Sequence, residues 1–236
     1  MGFLDFFTGG PPLKRNARKA VDRDAQAEDR EAALRALGDD GSAEALEALC
    51  ARFAIQLEHG MRDRREKELV FELLCGHGAA GAEVARRYAR GVATFAWAVK
   101  VVEQVEGASS ATGLLLELLG RESVDNELKP EKKHNLLIAL AERRDPRIVA
   151  AARPFLADFD EGVRNAAMEA VGGQDGDDGL EALSSALVNP SEESTRIRGR
   201  LAEIFAARDW PSPQDAWFLA NIPVGYRVTE GRLVRR

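Results

Sequence analysis

Apolar residues recur along this chain with the spacing of short amphipathic helices that come in pairs. In residues 159–188 a first stripe follows the i, i+3, i+4, i+7 spacing of one helix face and consists of Val163, Ala166, Ala167, Ala170 and Val171. A second stripe consists of Leu180, Leu183, Leu187 and Val188. We expect Gly172 and Gly173 to end the first helix in the left-handed conformation, and Asp177 or Asp178 to cap the second. Helices this short cannot bury their stripes alone, so the pattern predicts further copies beside them.

Such copies occur along most of the chain. The signature at 164–172, RNAAMEAVG, is matched most closely by REAALRALG at 30–38. Weaker matches begin at Lys67, Phe95, Lys133 and Arg198, and a second apolar helical pattern follows each of them. Helical hairpins repeated at this period predict an all-α fold, an α-solenoid of about six hairpins over residues 27–220.

The repeat signature is similar to that of a known repeat class. Asp160-Glu-Gly-Val-Arg164, followed by AAMEAVG, resembles the short bacterial HEAT repeat of the phycobilin-lyase type. The resemblance covers about residues 27–220 and implies HEAT-like hairpins. It mostly implies protein–protein scaffolding, and in a minority of cases lyase or DNA-repair activity. The full Asp-x-x-x-Arg spacing occurs only in the fifth hairpin, so we do not expect a ladder of Asp–Arg contacts from repeat to repeat.

Residues 1–26 form an apolar cap followed by a charged linker in this interpretation. Phe3, Phe6 and Phe7 crowd the segment MGFLDFFTGG. They either cover the open end of the first hairpin or anchor the chain to a partner or a membrane, with the basic residues 14–19 meeting anionic headgroups. Residues 13–29 are predicted to be a charged helix or linker with a solvated face. Membrane contact is expected only through this N-terminal segment.

The period changes at the other end of the chain. Val224, Tyr226 and Val228 alternate, Glu230-Gly231 forms a turn, and residues 232–235 return, which predicts a β-hairpin with a basic tail over 221–236. This hairpin either closes the end of the helical array or offers an edge to a partner strand. We expect it to close the array.

Composition and charge narrow the class of protein. No apolar run approaches the roughly 20 residues of a membrane helix, and no secretory signal is recognisable, so we expect a cytoplasmic monomer. Cys50 and Cys75 lie in apolar stripes and are interpreted as small buried side chains. The net charge is −6, with +3 in residues 1–20 and +3 in residues 221–236, which leaves −12 for residues 21–220. An acidic body makes nucleic acid an unfavoured partner.

The densest basic cluster of the body is the candidate binding site. Arg86, Arg87, Tyr88 and Arg90 lie on the predicted second helix of hairpin two. They form either a solvated helix face with Tyr88 packed inward, or a patch in the concave groove that anchors an acidic partner through forked hydrogen bonds. The segment HGMRDRRE, residues 59–66, is predicted to be an arginine-rich loop.

Catalytic and metal-binding patterns are missing from the sequence. His59, His77 and His134 are isolated, and a possible calcium loop starting at Asp175 has Ala186 where a bidentate Glu is required. We therefore predict no metal, no cofactor and no catalytic residue, although a single carboxylate in a groove could still be catalytic. The function predicted is a non-catalytic protein–protein scaffold that holds another protein in its groove. The alternatives are a HEAT-like DNA glycosylase, with Trp97, Trp210 and Trp217 as stacking rings, or a bilin lyase-type subunit.

Overall fold

The computed structural model describes residues 10–125 and 130–236, with the backbone only for Pro11. Phe3, Phe6 and Phe7 therefore lie outside the described residues. The chain divides into two compact units, Met1–Leu114 and Leu115–Arg236, and the boundary falls within one helix. They are called the N-terminal and the C-terminal unit below.

The N-terminal unit is a stack of helical hairpins. Its helices are α1 Pro11–Val21, α2 Ala27–Asp40, α3 Ala43–Ala51, α4 Gly60–Gly76, α5 Ala79–Gly91, α6 Ala96–Glu106 and the start of α7 Ala108–Leu119. The first helices α2, α4 and α6 contact one another in order, and the second helices α3 and α5 pack side by side behind them. Each hairpin thus buries its apolar stripe against the next hairpin, as the sequence pattern predicts.

Helix α1 is an addition to the hairpin pattern. It packs on α2 and α3 through Ala17 and Ala20, which are buried, while Lys14, Arg15 and Arg18 are exposed. Of the two predictions for residues 13–29, a charged helix or a linker, the structure shows the helix over most of the segment. Small alanine side chains explain the docking, because they let α1 approach its neighbours closely.

Two hairpin contacts in the N-terminal unit depend on glycine. Gly41 ends α2 in the left-handed conformation, with φ 61°. Gly81 lies where α5 crosses α4: a Cβ atom at this position would be 2.0 Å from the carbonyl oxygen of Leu74. Only glycine therefore permits the observed distance between these two helix backbones.

The C-terminal unit repeats the same plan. Its helices are α8 Pro130–Ala141, α9 Arg147–Ala152, α10 Glu161–Gly172, α11 Asp177–Leu187, α12 Thr195–Ala207 and α13 Ala216–Ala220, and a 3-10 turn, Arg153–Ala157, extends α9. α10 packs between α8 and α12, and α9 contacts α11 in the second layer. The prediction of an all-α fold built from HEAT-like helical hairpins is confirmed.

The predicted C-terminal β-hairpin is also confirmed. β1 Tyr226–Thr229 pairs antiparallel with β2 Arg232–Arg235, and Tyr226 lies opposite Arg235. The turn residues Glu230 and Gly231 both have positive φ, 51° and 74°, which suits a tight two-residue hairpin. Leu233 is buried, and β2 packs on α12. The hairpin therefore covers α12, the last long helix of this unit.

Three local predictions are wrong. α10 does end at Gly172 and Gly173, but Gly173 is in the right-handed region, with φ −75°, and not in the left-handed one; Gly172 packs closely instead, since its Cβ would lie 3.0 Å from Ile204 Cγ2. Gly176, not an aspartate, occupies the N-cap of α11, and Asp177 and Asp178 lie in its first turn, where negative charge suits the helix dipole. Residues 60–66 are helical rather than a loop, because α4 begins at Gly60.

Candidate interaction surfaces

The basic cluster predicted on the second helix of hairpin two lies on α5, and its arginines already have partners. Arg86 forms an ion pair with Glu106 at the end of α6. Arg87 Nη2 lies 3.1 Å from Glu47 Oε1 on α3, and both side chains are largely exposed, 49% and 39%. Arg90 also has an interaction partner. Arg86 and Arg87 are therefore paired with carboxylates of the neighbouring helices, and Arg87 is the more exposed of the two, at 49% against 20%.

Tyr88 is the inward-facing member of this cluster. It is 7% exposed and meets Phe53 edge-on, with ring centroids 6.2 Å apart. Its hydroxyl has no hydrogen bond of normal geometry. Burial raises the pKa of Tyr88, and the neighbouring Thr94 offsets only part of this effect. The structure thus matches the inward-packing interpretation of Tyr88, while partner binding by the cluster stays a prediction.

An aromatic group supports α5 from within the unit. Phe53 stacks on Trp97 with centroids 5.9 Å apart and an interplanar angle of 10°, and Phe71 contacts Trp97 at a tilt, with centroids 6.3 Å apart and an angle of 59°. Lys100 Nζ lies 4.6 Å from the centroid of Trp97. Together with Tyr88 on α5, these rings come from the end of hairpin one, from α4 and from α6. Their packing holds α5 in a fixed position and so fixes where its outer arginines lie.

A buried cluster of charged side chains lies where α2, α3 and α4 meet. Arg30 Nη2 donates to Glu66 Oε1 at 2.9 Å, and Arg52 Nε donates to Glu66 Oε2 at 2.8 Å. Arg52 Nη2 also binds Asp63 Oδ1 at 2.9 Å, and Lys67 Nζ binds Asp63 Oδ2 at 2.7 Å. Both buried carboxylates thus receive two cations, which explains why the predicted loop at 59–66 is instead the first part of α4.

The same contacts set the charge state of Asp63. Burial alone would raise its pKa, but hydrogen bonds from Lys67, Arg52 and the Leu57 N–H outweigh burial and hold the pKa below its usual range. A carboxylate that is kept ionised by two cations has no capacity to act as a general acid at neutral pH. The cluster joins α2, α4 and the end of α3 through buried ion pairs. Sequence reasoning missed it because a charged residue in a helical pattern is normally assigned to the solvated face.

A chain of ion pairs and hydrogen bonds runs through the turns of the C-terminal unit. Lys133 Nζ lies 2.6 Å from Asp158 Oδ2, and Arg164 Nη1 donates to the Asp158 carbonyl oxygen at 2.9 Å. Arg164 Nε in turn lies 2.8 Å from Glu192 Oε2, and Arg198 Nε donates to the Glu192 carbonyl oxygen at 2.8 Å. Lys133 and Arg164, the first cations of their signatures, thus each bind the turn that precedes the next first helix, α10 and α12 respectively.

These contacts are not the Asp–Arg ladder considered in the sequence analysis, because the ion pairs are Lys133–Asp158 and Arg164–Glu192. The carboxylates come from the preceding turns, at Asp158 and Glu192, and not from the Asp-x-x-x-Arg position. Asp160 instead caps α10 by accepting the Val163 N–H at 2.9 Å. The cations Lys133, Arg164 and Arg198 could be found from the repeat alignment, because they occupy its first column. Their partners could not be found, because they lie at variable distances along the chain.

The tryptophans of the C-terminal unit are engaged by arginines. The Arg198 guanidinium lies 4.3 Å from the centroid of Trp217, and that of Arg208 lies 5.0 Å from Trp210. Trp210 also meets Phe205 edge-on with centroids 5.4 Å apart. These rings fasten the segment after α12 to that helix.

Two further surfaces of the N-terminal unit carry many charges. A shallow depression on α1 is lined by Lys14, Arg15, Arg18, Lys19 and Asp22. A cleft of about 480 Å³ between α2 and α4 is lined mostly by charged side chains of both signs, among them Glu28, Glu31, Arg35, Arg62, Arg65 and Glu72. Of these two surfaces, only the depression on α1 is lined mainly by side chains of one charge, which is positive.

The histidines are dispersed, and one of them has a packing role. His77 Nε2 lies 2.9 Å from the Gly38 carbonyl oxygen, where it links the ends of α4 and α2. Within residues 10–125 and 130–236, no three His, Cys, Asp or Glu side chains are grouped so that they could hold a metal ion. Over the same residues, no helix is both long enough and apolar enough to cross a bilayer.

Comparison with known proteins yields one likeness of fold. No family model and no curated protein matches the sequence. A solved structure of a TOG domain from Caenorhabditis elegans Zyg9 is similar at a TM-score of 0.47 and 15% sequence identity, covering 83% of this chain and 80% of the TOG chain.

Proposed function

We propose that this chain is a non-catalytic scaffold that binds an acidic segment of another protein on its second-helix layer, the layer that the sequence assigns to the groove. Arg86, Arg87 and Arg90 on α5 are the proposed contacts. Tyr88 supports them from beneath by its packing on Phe53.

The observation that carries this proposal is the exposed pair of Arg87 and Glu47. Ion pairs between exposed side chains contribute only about 0–1 kcal/mol to stability. A partner carboxylate can therefore replace Glu47 at little cost and gain the forked geometry of a guanidinium. By contrast, the charges of the α2–α3–α4 cluster are buried and mutually neutralised, and exchanging their partners would cost several kcal/mol.

The environments of the tryptophans favour a scaffold over a DNA glycosylase. Trp97 stacks on Phe53, Trp210 packs on Phe205, and Trp217 lies under Arg198. Rings that serve internal packing in this way are unsuited to stacking on bases. Membership in the short bacterial HEAT type, and with it the bilin lyase-type alternative, stays a prediction.

Site-specific cross-linking tests the proposal. A photo-cross-linking amino acid at Glu83, one turn before Arg86 and Arg87 and exposed like Arg87, should capture a stoichiometric protein at an acidic segment in lysate of the source organism. Arg86→Glu/Arg87→Glu should abolish capture. The matched control Arg147→Glu/Arg153→Glu changes the charge equally at exposed positions of the C-terminal unit and should leave capture intact.

A charge swap separates binding from stability. Glu47→Arg/Arg87→Glu restores the internal pair with its signs exchanged, so the variant should unfold like the wild-type chain and still fail to capture the partner. Capture that survives both the double reversal and the swap, or capture of no stoichiometric protein, would contradict the proposal.

A further inference from the structure

The C-terminal β-hairpin has one edge that is covered and, within residues 130–236, one that is open. On the β2 side, Pro211 forms a β-bridge with Arg232, and the Ser212 N–H donates to the Gly231 carbonyl oxygen at 2.7 Å. β2 is also the strand that packs on α12. The outer edge of β1 is therefore the edge to which a further strand can be added.

The register of the hairpin decides which backbone groups of β1 point outward. Thr229 closes the two-residue turn and is hydrogen-bonded to β2, and the Arg236 N–H donates to the Gly225 carbonyl oxygen at 2.8 Å. Hydrogen-bonded positions alternate along an antiparallel pair, so every second residue of β1 faces β2. The backbone groups of Tyr226 and Val228 therefore point away from β2.

Val228 presents the backbone groups that a further strand needs. The Tyr226 N–H already donates to the Pro223 carbonyl oxygen at 3.1 Å, so only the Tyr226 carbonyl oxygen is left at the outer edge. Among the residues that the structure describes, neither the N–H nor the carbonyl oxygen of Val228 has a hydrogen-bond partner. A donor and an acceptor on one edge residue are what an extended peptide pairs with when it extends a sheet.

The charge around this edge favours an acidic partner. Arg227 and Thr229, on either side of Val228, are exposed, while Arg232 on the same face of the hairpin binds Asp209 at 3.0 Å. Residues 221–236 hold four arginines and one glutamate, a net charge of +3. A second copy of the chain would bring another +3 to this edge, and cations on an edge strand oppose such self-pairing. Acidic side chains beside Arg227 would be attracted instead.

The other face of the hairpin favours apolar residues in the partner. Val228 is half-buried and shares its face with Tyr226 and Leu233, which are buried. The partner residue directly opposite Val228 has its side chain on that same face, and its two neighbours have theirs on the face of Arg227. The segment that fits this edge therefore alternates apolar and acidic residues.

We propose that the outer edge of β1 binds an extended segment of a partner protein in which acidic and apolar residues alternate. The partner backbone pairs with the N–H and carbonyl oxygen of Val228. Its acidic side chains lie beside Arg227, and an apolar side chain lies beside Val228. This proposal is independent of partner binding on α5, which belongs to the N-terminal unit.

Binding of a synthetic peptide to the full chain tests the proposal. The probe is a short, capped, fluorescent peptide of alternating Glu and Val, and the control peptide has Pro in place of each Val. The control keeps the charge but lacks the N–H groups that would face Val228. Fluorescence anisotropy should show at least about tenfold weaker binding of the control peptide. Only the probe should slow the hydrogen exchange of the Val228 amide.

Variants of the chain test the same contacts from the other side. Val228→Pro removes the outward N–H but no hydrogen bond to β2, and it should weaken binding of the probe by about threefold to tenfold. Arg227→Glu should weaken binding by roughly fivefold or more. Arg196→Glu makes the same charge change at an exposed position of α12 and should leave binding unchanged. Slow exchange of the Arg227 amide in the Val228 variant checks that the hairpin persists.

Several results would overturn the proposal. One is the absence of probe binding, and another is equal binding of the two peptides, which would reduce the effect to charge and does not depend on how any variant folds. An equal loss in the Arg196→Glu variant would have the same meaning. A Val228 amide that is protected in the free chain only at concentrations where the chain dimerises would assign the edge to a second copy.

Discussion

Lys133 Nζ lies 2.6 Å from Asp158 Oδ2, and the two side chains are almost completely buried, at 1% and 0% exposure. Lys133 belongs to the first helix of its hairpin, α8, and Asp158 to the turn that leads into α10. The pair therefore fixes how one hairpin meets the next. Burying both charges is costly, so their main effect is to penalise any arrangement of the hairpins that separates them.

Breaking this pair should be much more harmful than replacing it. Asp158→Ala leaves the Lys133 ammonium buried without its carboxylate and should lower the free energy of unfolding by about 3–5 kcal/mol. Lys133→Met/Asp158→Leu should recover most of that loss, as measured by urea unfolding in a double-mutant cycle. Arg153→Ala, which breaks an exposed pair with Glu181, should cost no more than about 1 kcal/mol. Equal losses in the single and the double variant would contradict this interpretation.

Asp63 should make the N-terminal unit sensitive to acid. Its pKa is lowered in the folded chain, so its stabilising contribution is fully present above the unfolded pKa of about 3.9 and is lost as the pH falls through the folded value. Asp63→Asn should therefore be less stable than the wild-type chain at neutral pH, and the difference should shrink below about pH 4. Urea unfolding across this pH range measures the difference. A difference that is independent of pH would show that Asp63 does not titrate as expected.

Replacement by alanine should change stability differently at two glycines of α5, Gly81 and Gly91. Gly81→Ala places a methyl group 2.0 Å from the Leu74 carbonyl oxygen, and a backbone atom cannot move aside as a side chain can. We expect a loss of at least about 2 kcal/mol in the free energy of unfolding. Gly91→Ala meets no atom within 4 Å and should be neutral or stabilise by up to about 1 kcal/mol. Thermal unfolding of the two variants is the measurement, and similar midpoints would be inconsistent with the close approach of α4 and α5.

The docking of α1 should depend on the small size of its inner residues. Ala20→Leu forces three extra carbon atoms into a fully buried contact with α2 and α3, and overpacking of this kind costs about 1–3 kcal/mol. Hydrogen exchange of the backbone amides of α1 should then become faster while that of α10 is unchanged. Arg18→Leu, on the exposed face, serves as the control and should leave exchange in α1 as it is. Slow exchange in the Ala20→Leu variant would mean that α1 is not held by this face.

The two thiols should differ in reactivity. Cys50 on α3 is completely buried, and burial raises its pKa far above that of a free thiol, so the reactive thiolate is scarce. Cys75 on α4 is partly exposed, and burial raises its pKa as well. A thiol reagent should therefore label Cys75 first in the native chain, and Cys75→Ser should delay labelling until the chain opens. Faster labelling of Cys50 would show that α3 opens readily.

The sequence by itself determined the paired helices, their serial order and the C-terminal β-hairpin. These features follow from local periodicity: the stripe at Val163 to Val171 can be buried only by a neighbouring hairpin, and the alternation around Tyr226 suits only a strand. The repeat alignment also located the cations Lys133 and Arg164, because their spacing from the apolar stripe is constant.

Only the tertiary structure decided which charged side chains are buried and which remain exposed at the surface for a partner to bind. Arg52 and Arg87 look alike in the sequence, yet Arg52 is enclosed with Asp63 and Glu66 while Arg87 lies at the surface beside Glu47. The free energy of a charge depends on its distance from water and from opposite charges, and hairpin packing sets those distances. A local pattern records the apolar stripe that drives this packing, and it carries no information on which carboxylate the packing brings to each cation.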